Sequence, residues 1–208
     1  MISQRRRPYV AVTGSVAAGA STLSQALTNV LGWEAFLEGR VEQDNPFFGD
    51  AYHDFRRWGF HSQVHFLTNS MRRYNQLRTI LASSGTRPIV EDRTPFEHTG
   101  AYLRAYDTLS RIPARETALL RELTSVSERC FLTPDLLIYR QMTPEQLLAR
   151  VAQRGRDGED GADFELLDAA RVSFEAFVQD WDRSAKIILP ASADVHHPAA
   201  ISSLIREI

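Results

Sequence analysis

The sequence predicts an α/β fold in which a five-stranded parallel sheet carries helices on both faces. Short apolar runs typical of strands alternate along the chain with segments of helical periodicity, an order that favours a parallel sheet. A loop of small residues follows the first apolar run and leads directly into a helical segment. At 208 residues the chain suits a single domain spanning residues 1–208.

Each element is predicted from its own local pattern. The predicted strands are the apolar runs at residues 9–12, 33–38, 88–93, 135–139 and 186–189. Apolar residues spaced three and four apart predict helices over 21–31, 60–81, 101–110, 114–131, 164–181 and 199–208. A further helix begins at Thr143-Pro144, where threonine caps the helix and proline occupies its first position. Short helices and turns are expected between Asp44 and Trp58.

The composition excludes several classes of protein. A formal net charge of −2, with 43% hydrophobic and 24% charged residues, is ordinary for a globular protein and gives no sign of nucleic-acid or membrane binding. No apolar run approaches the ~20 residues that span a bilayer, and no signal-peptide core follows Met1. Cys130, the single cysteine, excludes an internal disulfide and a multi-cysteine metal site. We therefore expect a cytoplasmic protein.

The loop at residues 14–21 fits the phosphate-binding pattern GxxxxGK[ST] except at position 20, where alanine replaces lysine. Such a loop directs backbone N–H groups at phosphates beside a helix N-terminus, whose dipole favours anions. The pattern predicts a three-layer fold of the P-loop NTPase type. The nucleotide-binding residues expected here are Gly14, Ser15, Ala17, Ala18, Gly19, Ala20, Ser21 and Thr22.

Two positions in this loop carry alternatives. Ser21 is placed to bind Mg²⁺, although a serine there could equally be a helix N-cap. Alanine at position 20 lacks the ammonium group that would reach the β- and γ-phosphates. The loop could therefore still bind phosphate, but phosphoryl transfer could be slow or absent. The whole segment could also be a plain turn of small residues between a strand and a helix.

Three further motifs favour a nucleotide-binding loop over a plain turn of small residues. They are residues 44–48 with Tyr52, Arg57-Trp58 and Gln63; Glu91-Asp92-Arg93-Thr94; and residues 150–156, which contain three arginines. Their order and spacing resemble those of the deoxynucleoside kinase family, in particular its bacterial deoxyadenosine and deoxyguanosine kinases. The resemblance extends over nearly the whole chain.

This resemblance implies the catalytic residues. Glu38 matches the carboxylate that accepts the proton of the nucleoside 5′-hydroxyl, a role that suits a carboxylate held within hydrogen-bond reach. Glu42 is the alternative, because the stretch before Asn45 is about two residues longer than the family pattern. Arg93 would lie between this base and the transferred phosphoryl group, with Asp92 assisting; the alternative for this pair is a structural ion pair.

The resemblance also implies binding residues. Gln63 would hydrogen-bond the nucleobase edge and Trp58 would line the base pocket, although an exposed glutamine and a core tryptophan are the ordinary roles of such residues. Tyr52 and Glu159 match the pair that binds the sugar 3′-hydroxyl. A lid over about residues 150–162 would close over the phosphates through its arginines, whose alternative is a solvated helix end. These arginines are Arg150, Arg154 and Arg156.

The resulting hypothesis is an enzyme that uses ATP and Mg²⁺ to phosphorylate the 5′-hydroxyl of a purine-type deoxynucleoside. The resemblance further implies a homodimer packed through helices. Ala20 supports an alternative, a catalytically inactive nucleotide- or nucleoside-binding protein of the same fold. A third hypothesis is an enzyme whose chemistry does not require the loop lysine.

Overall fold

A computed structural model describes residues 7–39, 41–83, 85, 87–154 and 163–194, with only the backbone of Arg154. It contains one sheet of five parallel strands in the order β2-β3-β1-β4-β5. The strands are β1 (Tyr9–Gly14), β2 (Glu34–Phe36), β3 (Ile89–Asp92), β4 (Leu136–Arg140) and β5 (Ala185–Leu189). The predicted sheet is therefore confirmed. Strand β2 is shorter than predicted, because this edge strand pairs with β3 only from Glu34 to Phe36.

Helices connect the strands. They are α1 (Ala20–Leu31), α2 (Val41–Asp44), α3 (Phe48–His53), α4 (Phe55–Ala82), α5 (Arg104–Thr108), α6 (Ala114–Glu128), α7 (Pro144–Arg154) and α8 (Phe164–Gln179). A π-helical segment, His98–Leu103, runs directly into α5. Among the described residues, no helix combines the length and the apolar character needed to cross a membrane.

Some helix boundaries differ from the prediction for identifiable reasons. Helix α4 begins at Phe55 rather than residue 60, because the Asp54 side chain caps it by accepting the Arg57 N–H at 3.1 Å. Helix α7 begins as predicted, with the Thr143 hydroxyl accepting the Gln146 N–H at 3.2 Å. The helix predicted over 199–208 lies outside the described residues.

Both faces of the sheet are covered. Alternate residues of β1 enter two apolar clusters, Tyr9 and Ala11 on one face and Val10 and Val12 on the other. The first cluster is completed mainly by α4 and α8, and the second by α1. This double burial explains why the strands are continuous apolar runs, and it confirms the three-layer arrangement.

The carboxyl ends of the central strands meet at one edge of the sheet. Val12 of β1 lies opposite Asp92 of β3, and Gly14 lies opposite Arg140 of β4. The loop that follows β1 and the charged end of β3 are therefore neighbours. Open α/β sheets bind ligands at such an edge.

Candidate active site

The loop between β1 and α1 turns sharply onto the helix N-terminus. Ala17 and Gly19 both have left-handed backbone angles, with φ values of 60° and 85°, and the Ala18 N–H donates to the Ser15 carbonyl at 3.0 Å. Helix α1 begins at Ala20, with Gly19 as the preceding residue. Ser21 therefore lies inside the first helical turn, where its side chain is exposed. The alternative prediction that Ser21 is the helix N-cap is wrong, because Gly19 occupies that position.

Close packing fixes this loop against the sheet. A side chain at Gly14 would bring its Cβ to 2.8 Å from the Ala18 Cβ and 3.2 Å from the Arg140 carbonyl oxygen, so only glycine fits. Ala20 is 6% exposed and packs in the same apolar cluster as Val12 and Leu23. The loop is thus formed without its lysine, and the side chain at that position belongs to the core.

A cavity opens beside the loop, which contributes Val16 to its wall. Four of the predicted site residues line this cavity together: Glu38, Tyr52, Gln63 and Arg93. Much of the remaining wall is aromatic, from Phe48, Phe55, Phe66, Tyr102 and Tyr106. An apolar cavity with a few convergent polar groups is the usual form of a small-molecule site.

The predicted catalytic pair is in direct contact. Arg93 Nε lies 2.9 Å from Glu38 Oε2, and Arg93 Nη1 lies 3.1 Å from Glu97 Oε2 and 2.6 Å from the Tyr102 hydroxyl. Arg93 follows β3 with a φ of 68°, a strained angle for a residue with a side chain. Burial raises the pKa of Glu38, against the lowering effect of Arg93 and Arg73.

The polar network beneath this pair was not predicted. Arg73 of α4 reaches toward two carboxylates, 3.8 Å from Glu38 Oε1 and 3.9 Å from Glu91 Oε1. Burial raises the pKa of Glu91, which accepts the Tyr9 hydroxyl, to about 7. Glu97 follows Arg93 by four residues, a spacing that could have suggested an ion pair, whereas nothing local to Arg73 points to Glu38.

Glu97 links strand β1 to the residues that follow β3 through hydrogen bonds. One of its carboxylate oxygens accepts the Thr13 hydroxyl at 2.6 Å and the Thr94 N–H at 3.0 Å, and the other faces Arg93. Burial raises the pKa of Glu97 to about 7. Glu97 therefore contacts Arg93 through Nη1, whereas Glu38 contacts its Nε.

The other predicted acceptor residues differ in position. Gln63 is buried and donates from Nε2 to the Tyr106 hydroxyl at 3.2 Å, and half-exposed Tyr52 packs edge-on against Phe48. Two further polar residues line the cavity, where Ser70 Oγ and His98 Nε2 are hydrogen-bonded at 2.7 Å.

Two predicted residues lie off the cavity wall. Trp58 does not line the cavity as predicted, because the first turn of α4 stacks its ring on Phe47 and sets it beside His61. Asp92 is fully buried at the end of β3, and neither of its carboxylate oxygens has a hydrogen-bond partner among the described residues.

The predicted lid is described only at its beginning. Arg150 of α7 donates from Nη1 to the Ala18 carbonyl oxygen at 3.4 Å, which places its guanidinium against the loop. The side chain of Arg154 and the residues Arg156 and Glu159 lie outside the described part of the chain.

The chain is similar to known deoxynucleoside kinases. The family model for deoxynucleoside kinase matches residues 10–208. The deoxyadenosine/deoxycytidine kinase of Bacillus subtilis is 36% identical over 74% of this chain and 69% of its own length. The deoxyadenosine kinase of Dictyostelium discoideum is 26% identical over 95% of this chain and 78% of its own length.

Solved structures show the same fold. A deoxyadenosine kinase from M. mycoides, solved with dCMP and dCDP, superimposes with a TM-score of 0.80 at 24% identity, covering 96% of this chain and 97% of that one. Together the family match and the curated relatives show nucleoside phosphorylation and do not favour the catalytically inactive alternative. The chain therefore belongs to the deoxynucleoside kinase family and is a phosphotransferase.

Proposed function

We propose that this kinase transfers the γ-phosphoryl group of ATP to the 5′-hydroxyl of a purine deoxynucleoside. The observation that carries the proposal is the contact between Glu38 and Arg93 on the wall of a cavity that also touches the phosphate-type loop at Val16. The cavity therefore combines a candidate base, a cation and a loop of the phosphate-binding pattern, which supports the proposal. The deoxyadenosine kinase of Dictyostelium discoideum supports a purine acceptor, and so does the first half of the name of the Bacillus subtilis deoxyadenosine/deoxycytidine kinase.

The residues suggest how transfer would proceed. Glu38 accepts the 5′-hydroxyl proton as that oxygen forms a bond to the γ-phosphorus, while the bond from this phosphorus to the β–γ bridging oxygen breaks and ADP leaves. Arg93, which contacts Glu38, would also stabilise the charge of the transferred group. Glu97 and Tyr102 hold the Arg93 guanidinium in that position.

Two residues fit Mg²⁺, which neutralises phosphate charge when it is bound. Ser21 offers an exposed hydroxyl in the first turn of α1. Asp92 offers two carboxylate oxygens without hydrogen-bond partners among the described residues, and oxygen ligands are those that Mg²⁺ prefers.

The aromatic part of the cavity suits the nucleobase. Gln63 has both a donor and an acceptor, and its amide lies among ring faces on which a base can stack. Tyr52 would contact the sugar.

A homodimer is also part of the proposal. Four apolar side chains on α4 and α6 are exposed: Met71, Leu119, Leu123 and Val126. The two helices touch, with Ser127 Oγ of α6 3.7 Å from Met71 Sδ of α4. A second copy packing on this face would bury these side chains. Light scattering should show a dimer, and a Val126→Asp change should shift it toward monomer; a monomeric wild type contradicts this part.

The activity is tested by incubating the purified chain with Mg-ATP and each of the four common deoxynucleosides separately. We expect 5′-monophosphate from deoxyadenosine or deoxyguanosine at higher kcat/KM than from the pyrimidine nucleosides. A pyrimidine preference would overturn the purine assignment, and absence of product from all four would overturn the activity itself. Replacing ATP by GTP in the same assay tests the donor.

A further inference from the structure

The loop lacks a cation at the position where phosphate-binding loops carry one. A lysine at position 20 would reach the β- and γ-phosphates. Ala20 instead packs against Val12 and Leu23 in the core. The loop therefore has no side-chain cation that could stabilise the charge on the leaving phosphate oxygens.

A guanidinium already lies on this loop. Arg150 Nη1 is 3.4 Å from the Ala18 carbonyl oxygen. It is also 2.9 Å from the point where a Cβ on Gly19 would stand, so the missing side chain of that glycine makes room for it. Arg150 thus touches the two residues immediately before Ala20.

Among the described residues, no carboxylate lies within ion-pair distance of the Arg150 guanidinium. The neighbouring cation, Arg140, is buried and donates to the carbonyls of Pro190 and Ala191 at 2.7 and 3.3 Å. Burial, and then the proximity of Arg150, lower the pKa of Arg140, against the raising effect of Asp194.

We propose that Arg150, projecting from α7, takes the place of the absent loop lysine and stabilises the β- and γ-phosphates during transfer. The inference rests on the proposed use of ATP. As the γ-phosphorus–oxygen bond breaks, negative charge grows on the bridging oxygen of ADP, and the planar guanidinium binds phosphate oxygens with two N–H groups. Arg150 belongs to α7, so its guanidinium would approach the phosphates from a different helix than a lysine at position 20 would.

The proposal predicts a specific dependence between positions 20 and 150. Each cation would serve the same phosphates, so a lysine introduced at Ala20 should raise activity and Mg-ATP affinity most when Arg150 is absent. The test compares the wild type, Arg150→Met, Ala20→Lys and the double variant. Arg115→Met, which removes an exposed arginine at the start of α6, is the matched control.

Two readouts are measured for each protein: kcat with saturating nucleoside, and the dissociation constant of Mg-ATP by calorimetry. We expect Arg150→Met to lower kcat by about 10²- to 10³-fold, the usual effect of removing one charge-stabilising group. The same variant should bind Mg-ATP more weakly and keep its affinity for nucleoside. Ala20→Lys should restore most of both losses in the double variant, and its effect on the wild type should be smaller by a clear factor.

Other outcomes overturn the proposal. If Arg150→Met matches Arg115→Met in both readouts, Arg150 has no role at the phosphates. If Ala20→Lys improves the wild type and Arg150→Met by the same factor, the two cations act independently and the substitution is not one. A wild type that binds Mg-ATP through Arg150 yet phosphorylates no nucleoside would instead contradict the proposed function and leave the phosphate contact standing.

Discussion

Arg93 Nε lies 2.9 Å from Glu38 Oε2 on the wall of the cavity. The contact joins Glu38, the candidate base in the connection between β2 and α2, to Arg93, the cation that follows β3. Each residue is about one-quarter or less exposed, so the pair faces the cavity without being sealed from it.

Replacing Glu38 with glutamine should remove the proton acceptor while keeping the shape of the side chain. We expect kcat to fall by about 10²- to 10⁴-fold, with nucleoside affinity nearly unchanged. Steady-state kinetics and calorimetry measure the two effects. Glu42→Gln, which changes the other candidate base on the same wall, is the control. A larger loss in Glu42→Gln would assign the base to Glu42.

Arg73 should set the pH at which Glu38 loses its proton. Its charge lowers the pKa of Glu38, so Arg73→Gln should raise that pKa and move the acidic limb of kcat/KM to higher pH. Arg73→Lys keeps the charge and should leave the limb closer to its wild-type position. A limb that stays fixed in Arg73→Gln would show that Arg73 serves the fold alone.

Ala17 should store strain that glycine would release. Its φ of 60° costs a residue with a side chain roughly 1–2 kcal/mol in the folded state. Glycine would remove this cost, but it would also increase the conformational entropy of the unfolded chain, which offsets part of the gain. Ala17→Gly should therefore raise the free energy of unfolding by up to about 1 kcal/mol. The adjacent Ala18→Gly, at a buried position without positive φ, should lower it. Denaturant unfolding of both variants decides the matter, and equal effects would contradict the strain.

His98 should make folding sensitive to acid. Burial, followed by the charges of Arg93 and Arg73, lowers its pKa to about 4. Since the unfolded chain binds this proton near pH 6.5 and the folded chain does not, the stability supplied by neutral His98 is lost as the pH falls from about 6.5 toward 4.

Removal of this group isolates its contribution. Between about pH 7 and about pH 5, the wild type should lose up to about 2 kcal/mol more stability than His98→Gln. Only the difference between the two pH profiles is used, because Glu91 and Glu97, with pKa values raised to about 7, act with the opposite sign. Parallel profiles would show that His98 titrates normally.

Local patterns were enough for the sheet and for the start of α7, whereas the site residues were implied by the family resemblance. The apolar strands and the helix start at Thr143 were predictable because burial on two faces and helix capping both depend on neighbouring residues. Arg73 was not, since it reaches Glu38 only after α4 and the β2–α2 connection pack together. Trp58 was misplaced for a related reason: Asp54 starts α4 early, and the rotation of that first turn decides which ring faces the cavity.

The order of the strands separates the residues proposed for the nucleoside acceptor from those proposed for the phosphate donor. Residues proposed for the acceptor follow β2 and β3 or lie on α3 and α4, whereas the proposed donor contacts follow β1 and project from α7. Exchanging side chains around Gln63 should therefore alter which nucleoside is chosen without disturbing the grip on the triphosphate. A single molecule that joins a nucleoside to a nucleotide through its phosphate chain would span both regions, and its length would measure the gap between them.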